Sequence, residues 1–383
     1  MKKIMKIVLL LFSTTILYSA TYEHSTLYKE TKIMGMGGAG IATTGGVHSL
    51  FYNTAGLMDI PKENGWEVEL LNIGVTYNEH IQDFAKDFSD ASDIEDDNKQ
   101  RIAMVDLTER YLNKNLHLSS SVALLKVGKQ FESFALGVMP ITGANINIKT
   151  HRGSGSQGLI EVNGMLYSGL AVGVAQNSGS KHIGKIKLEN ISMGVGMKYI
   201  KHKTISANLS LADLLDDNIS DRFMDDYVND GSDIVFDLGA KVDIYKNITV
   251  GASIQNIGDI AHNSYENMVP TTLNIGVAYK QKFDRVWFSS YEAAFDYTDI
   301  LYQYQQDDDI IKRTRLGISG DMIGGKYGTI SLQTGFHQGY NTFGFAIDSE
   351  IFKLAYAYYT AEVGAVSFQD GDKRHSIQFS IGW

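Results

Sequence analysis

Apolar and polar residues alternate with period two along most of the chain from Trp66 onward, the signature of strands with two unlike faces. In 233–244, Ile234, Phe236, Leu238, Ala240, Val242 and Ile244 share one face, and Asp233, Asp237, Gly239, Lys241 and Asp243 the other. In 271–280, Leu273, Ile275, Val277 and Tyr279 oppose Asn274, Gly276, Ala278 and Lys280. In 287–298, Trp287, Tyr291, Phe295 and Tyr297 oppose Ser290, Glu292, Asp296 and Thr298. In 328–337, Ile330, Leu332 and Phe336 oppose Ser331, Gln333, Gly335 and His337, and the last residues alternate from Ile377 to Trp383. Any one of these segments fits a half-buried edge strand of a soluble sheet. Their repetition and length do not, since soluble strands usually stop at five or six residues. One face is rich in Gly and Ser with scattered charges; the other is apolar and ends in aromatics. The pattern predicts an all-β protein, an antiparallel transmembrane β-barrel with lipid outside and a polar lumen.

The connections help to count the strands. Short turns fall near Gly128-Lys129-Gln130, Tyr245-Lys246-Asn247, Phe283-Asp284 and Gly324-Gly325, and longer polar loops at 214–231, 258–270, 300–309 and 361–372. In such barrels the short turns are periplasmic and the long loops extracellular. Reading 185–212 as one strand through Lys201-His202-Lys203 preserves the alternation and predicts about fourteen strands. A tight turn at His202, with an additional strand elsewhere, predicts sixteen. Two segments depart from the pattern. Residues 79–113 are acidic and carry Ile81, Phe84, Phe88 and Ala91 at helical spacing, which predicts an amphipathic helical insertion on the extracellular side. Residues 21–65 are Gly-rich and aperiodic, which suits a plug inside a barrel formed by 66–383.

Composition narrows the class further. There are 38 Gly and 21 Tyr but only 3 Pro, as continuous strands require, because Pro removes a ladder donor. Cysteine is absent, so no disulfide is needed. The formal net charge is −10 with no basic stripe, so nucleic acid is not an expected partner. Lys2, Lys3 and Lys6 precede an apolar run from Ile7 to Leu17 and then Ser19-Ala20. This reads as a signal peptide, residues 1–20, cleaved after Ser19 or Ala20; the run is too short to span a bilayer as a helix.

The candidate chemistry is sparse. Gly35, Gly37 and Gly40 satisfy G-x-G-x-x-G, but the preceding Tyr28-Lys29-Glu30-Thr31-Lys32 is polar and Gly45-Gly46 interrupts any following helix. A nucleotide site needs both flanks. A turn-rich plug fits better, because Gly permits positive φ and close backbone approach. Asp307-Asp308-Asp309 lacks the spaced oxygens of a calcium loop. The 10 His show no metal spacing, and nothing pins a Ser–His–Asp triad. No catalytic site, cofactor or metal is therefore expected. The notable charges are Asp237, Lys241, Glu292, Asp296, Arg313, Arg315 and Asp321, on the predicted lumen face. They pair across strands, anchor the plug or line a wet lumen.

Two stretches resemble a known family. Met34-Gly35-Met36-Gly37-Gly38-Ala39-Gly40-Ile41-Ala42, followed by Phe51-Tyr52-Asn53-Thr54-Ala55-Gly56-Leu57, is similar to the N-terminal hatch signature of FadL-type outer-membrane transporters. Its marker residues here are Gly35, Gly37, Gly38, Gly40, Asn53, Ala55 and Gly56, with Thr54 where the family has proline. Gly251–Gly258 and Val269–Val277 resemble segments shared by FadL relatives, including the PorV-like and conjugal transfer TraF-like branches. The resemblance implies a fourteen-stranded barrel with a luminal plug that passes hydrophobic molecules and releases them sideways through a kinked third strand. That strand is expected at about 132–149, where Pro140 and Gly143 stand; a barrel corner explains the same two residues. The terminal strand, with Phe379, Ile381 and Trp383, resembles those the outer-membrane assembly machinery prefers. The expected role is an outer-membrane channel, in contact with lipid, for passive uptake of small hydrophobic compounds or fatty acids. The alternative is a non-transport scaffold subunit of a secretion or conjugal transfer apparatus. An outer-membrane hydrolase has no Ser–His signal in its favour.

Overall fold

The computed structural model describes residues 26–61, 65–152, 158–184, 186–216, 218–245, 247–264, 267–283, 287–303, 309–325, 328–349 and 351–383. The expected signal peptide, Asp307 and Asp308 lie outside them. Fourteen antiparallel strands form the wall: β1 (Trp66–Asn78), β2 (Leu116–Gln130), β3 (Phe134–Thr150), β4 (Ile160–Asn177), β5 (Ile186–Leu209), β6 (Val228–Ile244), β7 (Ile248–Ile257), β8 (Thr272–Lys282), β9 (Phe288–Tyr297), β10 (Thr314–Gly325), β11 (Gly328–His337), β12 (Tyr340–Asp348), β13 (Phe352–Glu362) and β14 (Gly371–Gly382). Each pairs with its neighbours in sequence, and β14 pairs with β1 in the register Ile73↔Phe379 to close the barrel. A three-residue strand, Lys181–Ile183, folds back on the start of β5 and adds nothing to the wall.

The count is fourteen because β5 runs unbroken through His202, pairing from Asn177↔Ser192 to Ile160↔Leu209. Two turns differ from the sequence reading. Gly128–Gln130 stay in β2, since Gln130 still pairs with Ala135, and the turn falls at 131–133. Gln338-Gly339 is a two-residue turn at the long-loop end, which breaks the alternation of short and long connections. Both residues have positive φ, 55° and 92°, as the tight hairpin turns that match strand twist demand.

Alternation sends large apolar side chains outward, among them Leu136, Leu170, Val195, Phe236, Leu238, Val277, Phe295, Leu316, Leu332, Phe345 and Phe379. All three tryptophans, Trp66, Trp287 and Trp383, are exposed at the short-turn end, as an interfacial aromatic belt would be. The wall is uneven in height. Strands β7–β14 have 9 to 12 residues, about what crossing a membrane at a tilt needs. Strands β3–β6 have 17, 18, 24 and 17. On β5 the outward apolar run Met193–Tyr199 gives way to exposed Lys201 and Lys203, so the excess rises beyond the apolar band at the long-loop end.

That raised edge carries helices. The 79–113 insertion is a hairpin of α2 (Ile81–Ser92) and α3 (Asp97–Arg110), α3 being capped by Asp96, which accepts the Lys99 N–H at 2.9 Å. Phe84 and Ala91 of α2 bury against Met104, Leu107 and Tyr111. Two further short helices, α4 (Leu211–Leu214) and α5 (Ile219–Asp226), pack on the same cluster through Leu211, Leu214, Ile219 and Phe223.

The lumen is filled by the N-terminal segment: α1 (Thr31–Gly35), then two 3₁₀ turns, η1 (Gly46–Phe51) and η2 (Thr54–Asp59). It winds round the inner wall, and the wall offers it glycines. Gly35 lies against Gly344 of β12; a Cβ on Gly335 of β11 or Gly317 of β10 would stand 2.9 Å from Gly37 N or 2.1 Å from Met36 O. Gly276 and Gly251 face Ile41; Gly239 and Gly194 face Asn53–Ala55; Gly173 and Gly137 face Leu50 and Leu57. The small inner face read from the sequence as a wet lumen is therefore largely the seat of the plug. Replacing Gly239 with Val should force the η2 turn off the wall and destabilise the barrel by about 1–3 kcal/mol, the usual cost of overpacking. Leu238→Val, on the lipid face, should leave the plug seated. Limited proteolysis of the plug in the folded barrel checks both.

Candidate functional site

Polar side chains tie the plug to the wall at widely spaced points. Asp296 on β9 is fully buried, and its Oδ2 accepts the N–H groups of Gly40 at 2.7 Å and Ile41 at 2.8 Å. Its other oxygen lies where a Cβ on Gly276 would fall, at 2.2 Å. Lys241 on β6 reaches Asp59 at 2.5 Å. Thr31 N–H donates to Gln378 of β14 at 2.8 Å, His337 of β11 contacts Gly37 O at 3.0 Å, and Thr342 donates to Gly35 O at 2.8 Å. Asn53 donates to Ile41 O and to Ala240 O while capping η2, where its side chain accepts from Ala55 N–H. It staples the two halves of the hatch motif to each other and to β6. Thr54, in place of the family proline, opens η2, where a missing N–H is normally tolerated. Gly56 fits because a Cβ there would stand 2.4 Å from Thr44 O, and Gly37 and Gly38 take φ of 69° and 84°.

The remaining charges singled out from sequence have separate partners, although Arg313 and Arg315 line one cavity. Asp237 pairs with Lys198 at 2.8 Å and accepts Asn256 N–H, with Lys198 also over the Phe51 ring. Arg313, in the short helix α6 (Ile310–Arg313), pairs with Asp299 and stacks on Tyr302. Arg315 donates to the carbonyls of Lys312 and Thr314. Asp321 accepts from Ser290 and Ser331, and Glu292 lies 3.9 Å from Lys280.

Sequence reasoning missed a second buried cluster. Among the described residues, His48, Glu67 and Glu69 bring three metal-type ligand atoms together. Lys126 Nζ stands among them, 2.6 Å from His48 Nε2, 2.8 Å from Glu67 and 3.1 Å from Glu69. The ammonium occupies the cation position. It can only donate, so His48 Nε2 accepts and Nδ1–H donates to Tyr28 Oη at 2.7 Å. Burial holds the Tyr28 phenol well above its usual pKa, so it stays neutral.

Beside this cluster the wall is irregular on three consecutive strands. Pairing of β1 with β14 slips between Glu69 and Leu71. Pairing of β2 with β3 stops at Val127↔Val138 and resumes at Val122↔Thr142, so four residues of β2 face three of β3. Leu125 has φ 55°, and the adjacent Leu124 and Leu125 are both exposed on the lipid side. Pro140 lies within this gap, while its register with β4 runs unbroken from Phe134 to Thr150. Behind it, Met139 and Ile141 bury against the plug's Leu50 and Leu57. Gly143 makes room for Tyr167, whose hydroxyl donates to Leu27 O.

Between plug and wall toward the long-loop end lies a cavity of about 180 Å³. Leu27, Ile41, Phe51, Val269 and Pro270 give it an apolar side; Lys198, Lys312, Arg313 and Arg315 outnumber Asp296 and Asp299 on the other.

A family model described as F plasmid transfer operon, TraF, protein, matches residues 103–309, from α3 across the tall strands to the loop after β9. The chain belongs to this TraF family. The barrel is also similar to the solved structure of the Ralstonia pickettii toluene transporter TbuX, at 12% identity and a TM-score of 0.50, covering 94% of this chain and 98% of that one. The P. putida toluene transporter TodX matches at 11% identity and a TM-score of 0.48, covering 94% and 97%. No curated protein matches the sequence. This TraF-family chain thus shares the barrel fold of the toluene transporter TbuX.

The anchor at Asp296 is open to test. Asp296→Ala leaves two buried N–H groups without their acceptor, at about 1–3 kcal/mol each. It should lower the melting temperature and expose the Gly37–Ile41 loop to protease. Asp296→Asn, which keeps one acceptor oxygen, should lose less by thermal unfolding in detergent.

Proposed function

We propose that the chain is an outer-membrane channel through which small hydrophobic compounds or fatty acids pass by diffusion, entering the plug–wall cavity and leaving sideways between β2 and β3. The observation that carries the reading is the coincidence, at one level of the wall, of the β1 and β2 irregularities with Pro140 on β3. An unsatisfied backbone group in hydrocarbon costs several kcal/mol. An interrupted ladder there needs cover, and the plug's apolar cluster supplies it from inside. The same cluster gives a hydrophobic ligand a surface to follow. In this reading the chain is exported with a cleaved signal peptide and inserted by the assembly machinery through its final aromatic strand.

A second reading, a non-transport scaffold, is favoured by the plug itself, which is tied to β6, β9, β11, β12 and β14. Uptake of a fluorescent fatty acid into proteoliposomes separates the two. Pro140→Val should let the β2–β3 ladder close further and slow uptake several-fold, with heat-modifiable migration showing a folded barrel. Unchanged uptake in that variant removes the lateral route, and no uptake by the native chain leaves the scaffold.

A further inference from the structure

No residue of the helical cap lines the cavity bounded by Phe51, Lys198 and Asp296. On α3, Met104, Leu107 and Thr108 turn inward, whereas Ile102 and Val105, one turn apart, are 62% and 38% exposed. On α5, Met224 is 47% exposed. The helix thus buries one apolar stripe and presents a second to solvent, with none of the described residues covering it.

Charge says what fits there. Residues 79–115 carry ten carboxylates against five Lys and Arg, and 210–230 carry seven against one arginine. These segments form one body through a shared apolar cluster. Their excess of eleven negative charges accounts for the whole formal net charge of −10. Asp106 and Glu109 lie exposed beside Val105, with Lys99, Arg101 and Arg110 the nearby bases, Arg110 being held by Asp87. The tall strands β3–β6 lift this body beyond the outward apolar band. A second copy of the chain, a phosphate-bearing lipid and a nucleic acid would all bring like charge to it. An apolar stripe in an acidic field is complementary to a basic amphipathic helix.

We propose that the α2–α5 cap binds a partner protein through a lysine- or arginine-rich amphipathic helix, whose apolar side covers Ile102 and Val105 while its basic flanks meet the surrounding carboxylates.

The probe is a fluorescent 14-residue Lys/Leu peptide of amphipathic order, titrated onto the full chain in zwitterionic nanodiscs, with empty nanodiscs as background. A peptide of the same composition in scrambled order is the control. The amphipathic peptide is expected to bind at least tenfold more tightly than the scrambled one at low salt. Ile102→Ser with Val105→Ser, and separately Asp106→Lys with Glu109→Lys, are expected to weaken it about tenfold each; all four positions are exposed, so the barrel should fold, as heat-modifiable migration verifies. Equal binding of the scrambled peptide reduces the cap to a general polyanion and overturns the proposal. So does binding that neither pair of substitutions weakens.

Discussion

A side chain at Gly239, Gly317 or Gly335 would occupy space that the plug's own main chain fills. Backbone meets backbone there, and most other features of the lumen follow from that closeness. Where plug and wall meet this closely no water fits between them, so the plug's N–H and C=O groups there must find partners on the wall. Asp296, Gln378, His337 and Thr342 supply them, while Asn53 of the plug donates in return to Ala240 O of the wall. Cavities of about 180 and 340 Å³ remain between plug and wall, one lined by Phe51, Lys198 and Asp296 and the other by His48, Glu69 and Lys353.

The same exclusion of water governs the charges. Lys126 and Lys198 are almost fully buried, which is sustainable only with opposite charge and further hydrogen bonds at hand. Lys126 has two glutamates and a histidine; Lys198 has Asp237 and Asn256. Both lysines lie where strands approach the plug's aromatic side chains, so each couples wall geometry to plug position.

Much of this was legible in residue order. Period two assigned the lipid and lumen faces and narrowed the count to fourteen or sixteen strands; the continuous pairing through His202 in the structure selects fourteen. The hatch motif located the plug. The purpose of the inner glycines was not legible, because small residues suit a wet lumen and a seated plug equally well. Lys126 was hidden for a sharper reason. Inward positions on β2 are odd up to Ala123 and even from Lys126, since the bulge at Leu124-Leu125 adds a residue. Strict alternation from His117 places Lys126 in lipid, where no one would look for an ion cluster. The split of the insertion into two helices followed from Asp96, whose capping role depends on a chain reversal that spacing alone does not display.

The central claim is that the plug stays seated while the side cavity remains usable. Thr31 Oγ1 and Ser376 Oγ lie 2.8 Å apart across the plug–wall contact, and the chain has no cysteine of its own. A Thr31→Cys, Ser376→Cys double variant should therefore form a disulfide on mild oxidation in native membranes, seen as a mobility shift that reductant reverses. Fatty-acid uptake by the cross-linked barrel should match that of the reduced form. Failure of the two thiols to join, or loss of uptake on oxidation that returns on reduction, would contradict a plug that holds its place during passage.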